Sequence, residues 1–199
     1  MKRIILFIAF AFFAINASNA QSKDNLAKVR KINGVEAYIL CEPLREYEVV
    51  VDAGSGLKAE SLLTGGVVNK TISDRVEQFI RKVTKENARV DAVIYSAGKR
   101  IVGVQFTDEG TSKTKGYAKV SRVMGYPVFV MNEPVQDYTT LGTKTGGIKV
   151  KSLVTGGLMN NSIEEDVQQM VKKVQSRAAD GILFEGGRDA TAIQYKGKH

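Results

Sequence analysis

The chain has 199 residues, with 29 Lys and Arg against 21 Asp and Glu, a single histidine and a single cysteine. The histidine is the terminal His199. That leaves no Ser-His-Asp or Cys-His arrangement to expect, no Cys/His zinc site and no internal disulfide. The basic residues are scattered and no aromatics alternate with them, so the pattern is not that of a nucleic-acid binder.

Lys2 and Arg3 precede an apolar run of twelve residues, Ile4 to Ile15, and small residues follow at Ser18 and Ala20. This is the layout of a secretory signal peptide, with cleavage expected before Gln21. Twelve helical residues reach only about 18 Å, short of the roughly 30 Å of a bilayer core. Residues 1–20 are therefore expected to be a leader rather than an anchor. Removing Lys2 and Arg3 lowers the net charge from +8 to +6. No later segment is apolar for long enough to span a membrane. The expected address is secreted, in a bacterial periplasm.

Next comes "VEAYIL", a short β-prone run ended by Glu42-Pro43. Proline donates no hydrogen bond to a strand partner, so the strand is expected to stop there. "EYEVVVDAG" alternates and reads as a second strand. After "SLLTGGVVN" (61–69), Val76, Phe79, Ile80 and Val83 fall at i, i+3, i+4 and i+7, the apolar stripe of a helix. "DAVIYSAGKRIVGVQF" reads as two strands around a Gly-bearing turn.

The whole order then recurs. At an offset of 91, Lys28 to Val83 reads onto Lys119 to Val174 without a gap; beyond that the offset is 89. "SLLTGGVVN" returns as "SLVTGGLMN", Glu42-Pro43 as Glu133-Pro134, and Tyr47 as Tyr138. The second helix stripe is Val167, Met170, Val171 and Val174. The expected division is a leader (1–20), a first repeat (21–107), a polar linker (108–118) and a second repeat (119–199). The expected fold class is α+β: two tandem ββαββ repeats, each a small sheet with one helix packed on one face. A unit of this size has a marginal core and exposed sheet edges. The repeats are therefore expected to pack together about a pseudo-two-fold axis.

A helix followed directly by an "Asp-Ala-Val-Ile" strand is similar to the YbjQ-like small α/β domain of bacterial envelope proteins. The likeness covers the helix and the next strand of each repeat. It implies a fold. It implies no metal, because this sequence has no Cys or His cluster to hold one.

Two sets of repeated polar residues are candidates for function. Thr64, Gly65, Gly66 and Asn69, with Thr155, Gly156, Gly157 and Asn160, lie in glycine corners before each helix. Such a corner offers backbone N–H groups to an anion or small molecule. It is equally a tight turn whose Asn69, Thr71 or Ser73 caps the helix, and the corner is the preferred reading. Glu42 with Tyr47, and Glu133 with Tyr138, either present a carboxylate and phenol to a partner or make turns with a ring packed on the sheet. Gln105 and Gln194, kept late in the last strand of each repeat, are expected to face the other repeat. Cys41 reads as a structural thiol. Its counterpart is Asn132, so its role is not shared. The functional expectation is a non-enzymatic binding or scaffolding module without a cofactor. Its partner is expected to be an envelope protein or an anionic envelope surface, with self-association left open.

Overall fold

The two apolar stripes lie on helices α1 (Ile72–Glu86) and α2 (Ile163–Val174). They belong to a computed structural model that describes residues 23–52, 71–86, 89–96, 100–145, 163–175, 178–187 and 189–197. The strands of the first half are β1 (Leu26–Lys28), β2 (Lys31–Ile32), β3 (Val35–Ile39), β4 (Cys41–Pro43), β5 (Tyr47–Asp52), β6 (Ala92–Ser96) and β7 (Arg100–Phe106). Those of the second are β8 (Tyr117–Val120), β9 (Arg122–Val123), β10 (Tyr126–Val130), β11 (Glu133–Pro134), β12 (Tyr138–Thr145), β13 (Gly181–Phe184) and β14 (Asp189–Tyr195). The described residues make a mixed α+β fold of two helices and three sheets.

Two of the sheets have five strands, in the orders β2-β3-β6-β7-β5 and β9-β10-β13-β14-β12. The strands β3 and β6 run parallel, as do β10 and β13, because a helix lies in each connection. The hairpins that open the sheets turn at Asn33-Gly34 and Met124-Gly125, all four residues at positive φ. That is the twist a two-residue hairpin requires. The outer strands β5 and β12 both carry a register shift, between Val49 and Val51 and between Thr140 and Gly142. These are the same positions in the 91-residue frame.

The third sheet, β11-β1-β8-β4, takes two strands from each half. At its centre β1 and β8 are antiparallel, with Ala27 opposite Ala118. Lys28 lies opposite Glu133, and Lys119 opposite Glu42.

The Glu-Pro pairs correct an expectation. They do not simply end strands β3 and β10. The chain turns at Leu40 and Met131, at φ 52° and 59°, and then enters β4 and β11 in the third sheet. Pro43 and Pro134 sit in strands because these are the sheet's edges, where a missing N–H leaves no partner unpaired. Leu40 and Met131 are buried despite the left-handed backbone, so packing offsets a conformation that costs an L-residue about 1–2 kcal/mol.

Two buried clusters follow from this layering. In one, Val76, Ile80 and Val83 meet Ala37, Ile39 and Val93, and Val167, Val171 and Val174 meet Val128, Val130 and Ile182. Leu40 and Met131 belong to the same cluster, which is continuous across both halves. The other uses the opposite sheet faces, with Tyr38, Ile94, Val104, Phe129, Leu183 and Ile193 against Ala27, Ala118, Cys41 and Val120 of the third sheet. Full burial of each such large apolar side chain contributes about 1.5–3 kcal/mol.

Candidate functional site at the seam between the halves

Thr64, Gly65, Gly66, Asn69, Thr155, Gly156, Gly157 and Asn160 lie outside the described residues. The helix that follows the first corner is capped by Thr71. Its Oγ1 accepts from the Asp74 N–H at 3.2 Å, and Asp74 Oδ2 accepts from the Thr71 N–H at 2.8 Å. This reciprocal capping box satisfies two groups at the helix start.

The Glu and Tyr candidates lie around the third sheet. Glu42 on β4 and Glu133 on β11 are exposed and occupy its two opposite edges. The Tyr47 hydroxyl donates to Glu42 Oε2 at 3.4 Å. Glu133 instead lies 4.0 Å from the Arg30 guanidinium. Tyr138 is half-buried against the cluster beneath the third sheet, and its phenol pKa is raised by burial and then by Glu133 and Glu185. Each carboxylate thus has its tyrosine nearby, but the two pairs do not converge on one pocket.

The Gln194 amide donates to the Ala178 carbonyl at 3.3 Å, just beyond the end of α2. Gln105 alternates with the buried Val104 and lies on the face of β7 away from the cluster that packs on the third sheet.

What does cross the seam was not read from the sequence as contact, although Cys41 and Asn132 stood out there as counterparts. Cys41 and Asn132, one repeat apart, touch: Asn132 Nδ2 donates to Cys41 Sγ at 3.4 Å, and its Oδ1 accepts from the Arg30 N–H at 3.1 Å. Arg75 of α1 and Asp166 of α2, also one repeat apart, form a part-buried ion pair. The helix starts are completed from across the seam. The Ser73 N–H donates to the Gly186 carbonyl at 2.9 Å, and the Tyr95 hydroxyl accepts from the Ile163 backbone. These are groups that a helix cannot satisfy internally. A signal for the two side-chain pairs was present in the sequence: a repeat position where the copies differ in a chemically complementary way.

A further polar group is private to the first half. The buried carboxylate of Glu36 accepts from the Tyr38 hydroxyl at 2.7 Å and lies 3.8 Å from Lys31 Nζ. The same positions of the second half hold Pro127 and Phe129. Burial, then the Glu36 hydrogen bond, holds the Tyr38 phenol protonated well above its usual range. Burial does the same to the Cys41 thiol, reinforced by Glu42, so that it is a poor nucleophile. Arg45 stacks 4.0 Å from the centre of the Phe106 ring and bonds Asp108 at 2.9 Å, pinning the start of the connection between the halves. Among the described residues, no three His, Cys, Asp or Glu side chains gather as a metal cage would.

No family model matches this chain, and neither does any curated protein or solved structure.

Proposed function

We propose that the chain is a tandem duplication of a ββαββ-cored unit, folded about a pseudo-two-fold axis. On this reading it serves as a secreted, periplasmic, non-enzymatic module that binds or scaffolds a cell-envelope partner. One observation carries the architecture. Ala27 with Ala118, Cys41 with Asn132 and Arg75 with Asp166 are each the same repeat position meeting itself. A residue meets its own copy only on a two-fold axis, and three such meetings line up one. The binding role draws on how the buried polar groups are used. Glu36, Asn132 and Asp166 all hold structural partners inside the fold, whereas the repeated Glu42, Tyr47 and Glu133 are exposed. The net charge of +6 after leader removal suits an anionic envelope surface or an acidic envelope protein.

Fractionation of the native cell tests this. The protein is expected in the envelope fraction with Gln21 as its first residue, and added salt is expected to release it to the soluble fraction. A chain that keeps Met1 and stays in the cytoplasm contradicts the address. A mature chain that never associates with the envelope contradicts the binding role.

A further inference from the structure

The three sheets have six edge strands, and they are not treated alike. The edges β2 and β9 are two residues long. The third sheet's edges, β4 and β11, have three and two residues and each contains a proline. Short strands and prolines are the ordinary means of keeping an edge from pairing with another chain. By contrast, β5 has six residues and β12 has eight. Among the described residues no strand lies outside either of them. Three of the exposed large apolar residues fall there: Tyr47 (37%), Val49 (46%) and Leu141 (42%). Every residue of β12 after Tyr138 is exposed.

The two edges also differ in charge. β5 reads YEVVVD, with Glu48 and Asp52; β12 reads YTTLGTKT, with Lys144. We infer that β5 of one copy pairs antiparallel with β12 of a second copy, Glu48 opposite Lys144. This addition joins two five-stranded sheets into one and covers Val49 and Leu141. Opposite charges across a strand pair stabilise it, whereas β5 against β5 would set Glu48 against a carboxylate. An extended peptide from another protein would gain the same backbone bonds. A second copy is favoured because every chain presents both the acidic and the basic edge. Since each copy carries one of each, pairing either closes a ring or extends as a chain. The inference rests on the edges alone and is independent of the envelope reading.

The test is sedimentation velocity on the purified mature protein over increasing concentration, without envelope material. The expected result is an average mass that grows with concentration and falls with added salt. Glu48→Lys alone and Lys144→Glu alone are expected to remain monomeric, and the double reversal in one chain is expected to associate again. Val49→Lys and Leu141→Lys, at exposed positions, are expected to abolish association without lowering the melting temperature. A wild-type protein that stays monomeric throughout overturns the inference, as does association that survives either single reversal. The envelope reading would stand in either case.

Discussion

On the duplication reading the two halves share one plan, yet they differ where they touch. Ala27 and Ala118 are identical, and there the backbones of β1 and β8 pair directly. Farther along the seam Cys41 faces Asn132, and Arg75 faces Asp166. If two identical chains met in this way, arginine would face arginine. Joining the copies in one chain removes that constraint, because each side can change without changing the other. At these two positions the halves differ where a symmetric pairing would be costly. The same contrast holds away from the seam. Gly103 lets α1 approach β7 so closely that an added Cβ would lie 2.2 Å from Val83 Cγ1, whereas its counterpart is Ala192.

The largest effect is expected at the ion pair between the helices. Asp166→Ala removes the carboxylate that the part-buried Arg75 bonds and should cost up to about 3 kcal/mol in denaturant unfolding. Exchanging the two, Arg75→Asp with Asp166→Arg, should recover more than half of that loss, because equivalent positions offer each side chain the other's surroundings. A double exchange no more stable than the single variant would break the equivalence.

Gly103→Ala should cost roughly 1–3 kcal/mol through overpacking against Val83, while Ala192→Gly in the second half should cost no more than about 1 kcal/mol. Equal losses would mean that the helices sit at the same height over both sheets.

Alkaline pH separates the halves through Cys41. The fold holds its thiol protonated, so its pKa is higher folded than unfolded. Stability from this group is whole below the unfolded value near pH 8.5 and falls as pH rises above it, by about 1.4 kcal/mol per pH unit. Tyr38 and Tyr195 are raised in the same sense and add their losses above about pH 10. Cys41→Ala should move the onset of alkaline destabilisation from roughly pH 8.5 to about 10, read from melting temperature against pH.

The smallest effect concerns the opening hairpins. Asn33 suits its left-handed turn position, but Met124 is 49% exposed at the matching position with φ 53°. Met124→Asn should stabilise by about 0.5–1 kcal/mol and Asn33→Met should lose a similar amount, by thermal unfolding.

The helices and longer strands were legible because their periodicities are local. Val76, Ile80 and Val83 declare a helix whatever lies beneath them, and Val35 to Ile39 declares a buried strand. The third sheet was not legible. Its strands have two to four residues, too few for any period, and Glu42-Pro43 reads as a stop when it is in fact an edge. Tyr117 and Ala118, placed in a linker by their polar setting, begin β8. Of the candidate side chains, Glu42, Tyr47, Glu133 and Tyr138 were legible because they repeat unchanged. The seam pairs escaped because they do not. Comparing copies for identity finds what they share and passes over the places where one copy complements the other.

The central claim is that neither half is complete alone. β1 lies between β11 and β8, so each half supplies strands that the other needs. The most direct measurement is to divide the chain at Ser112 and follow the unfolding of 21–112 and 113–199, apart and mixed. Weakly folded halves that regain cooperative unfolding on mixing are predicted. Two halves that each unfold cooperatively at the full-length temperature, and do not associate, would contradict the account.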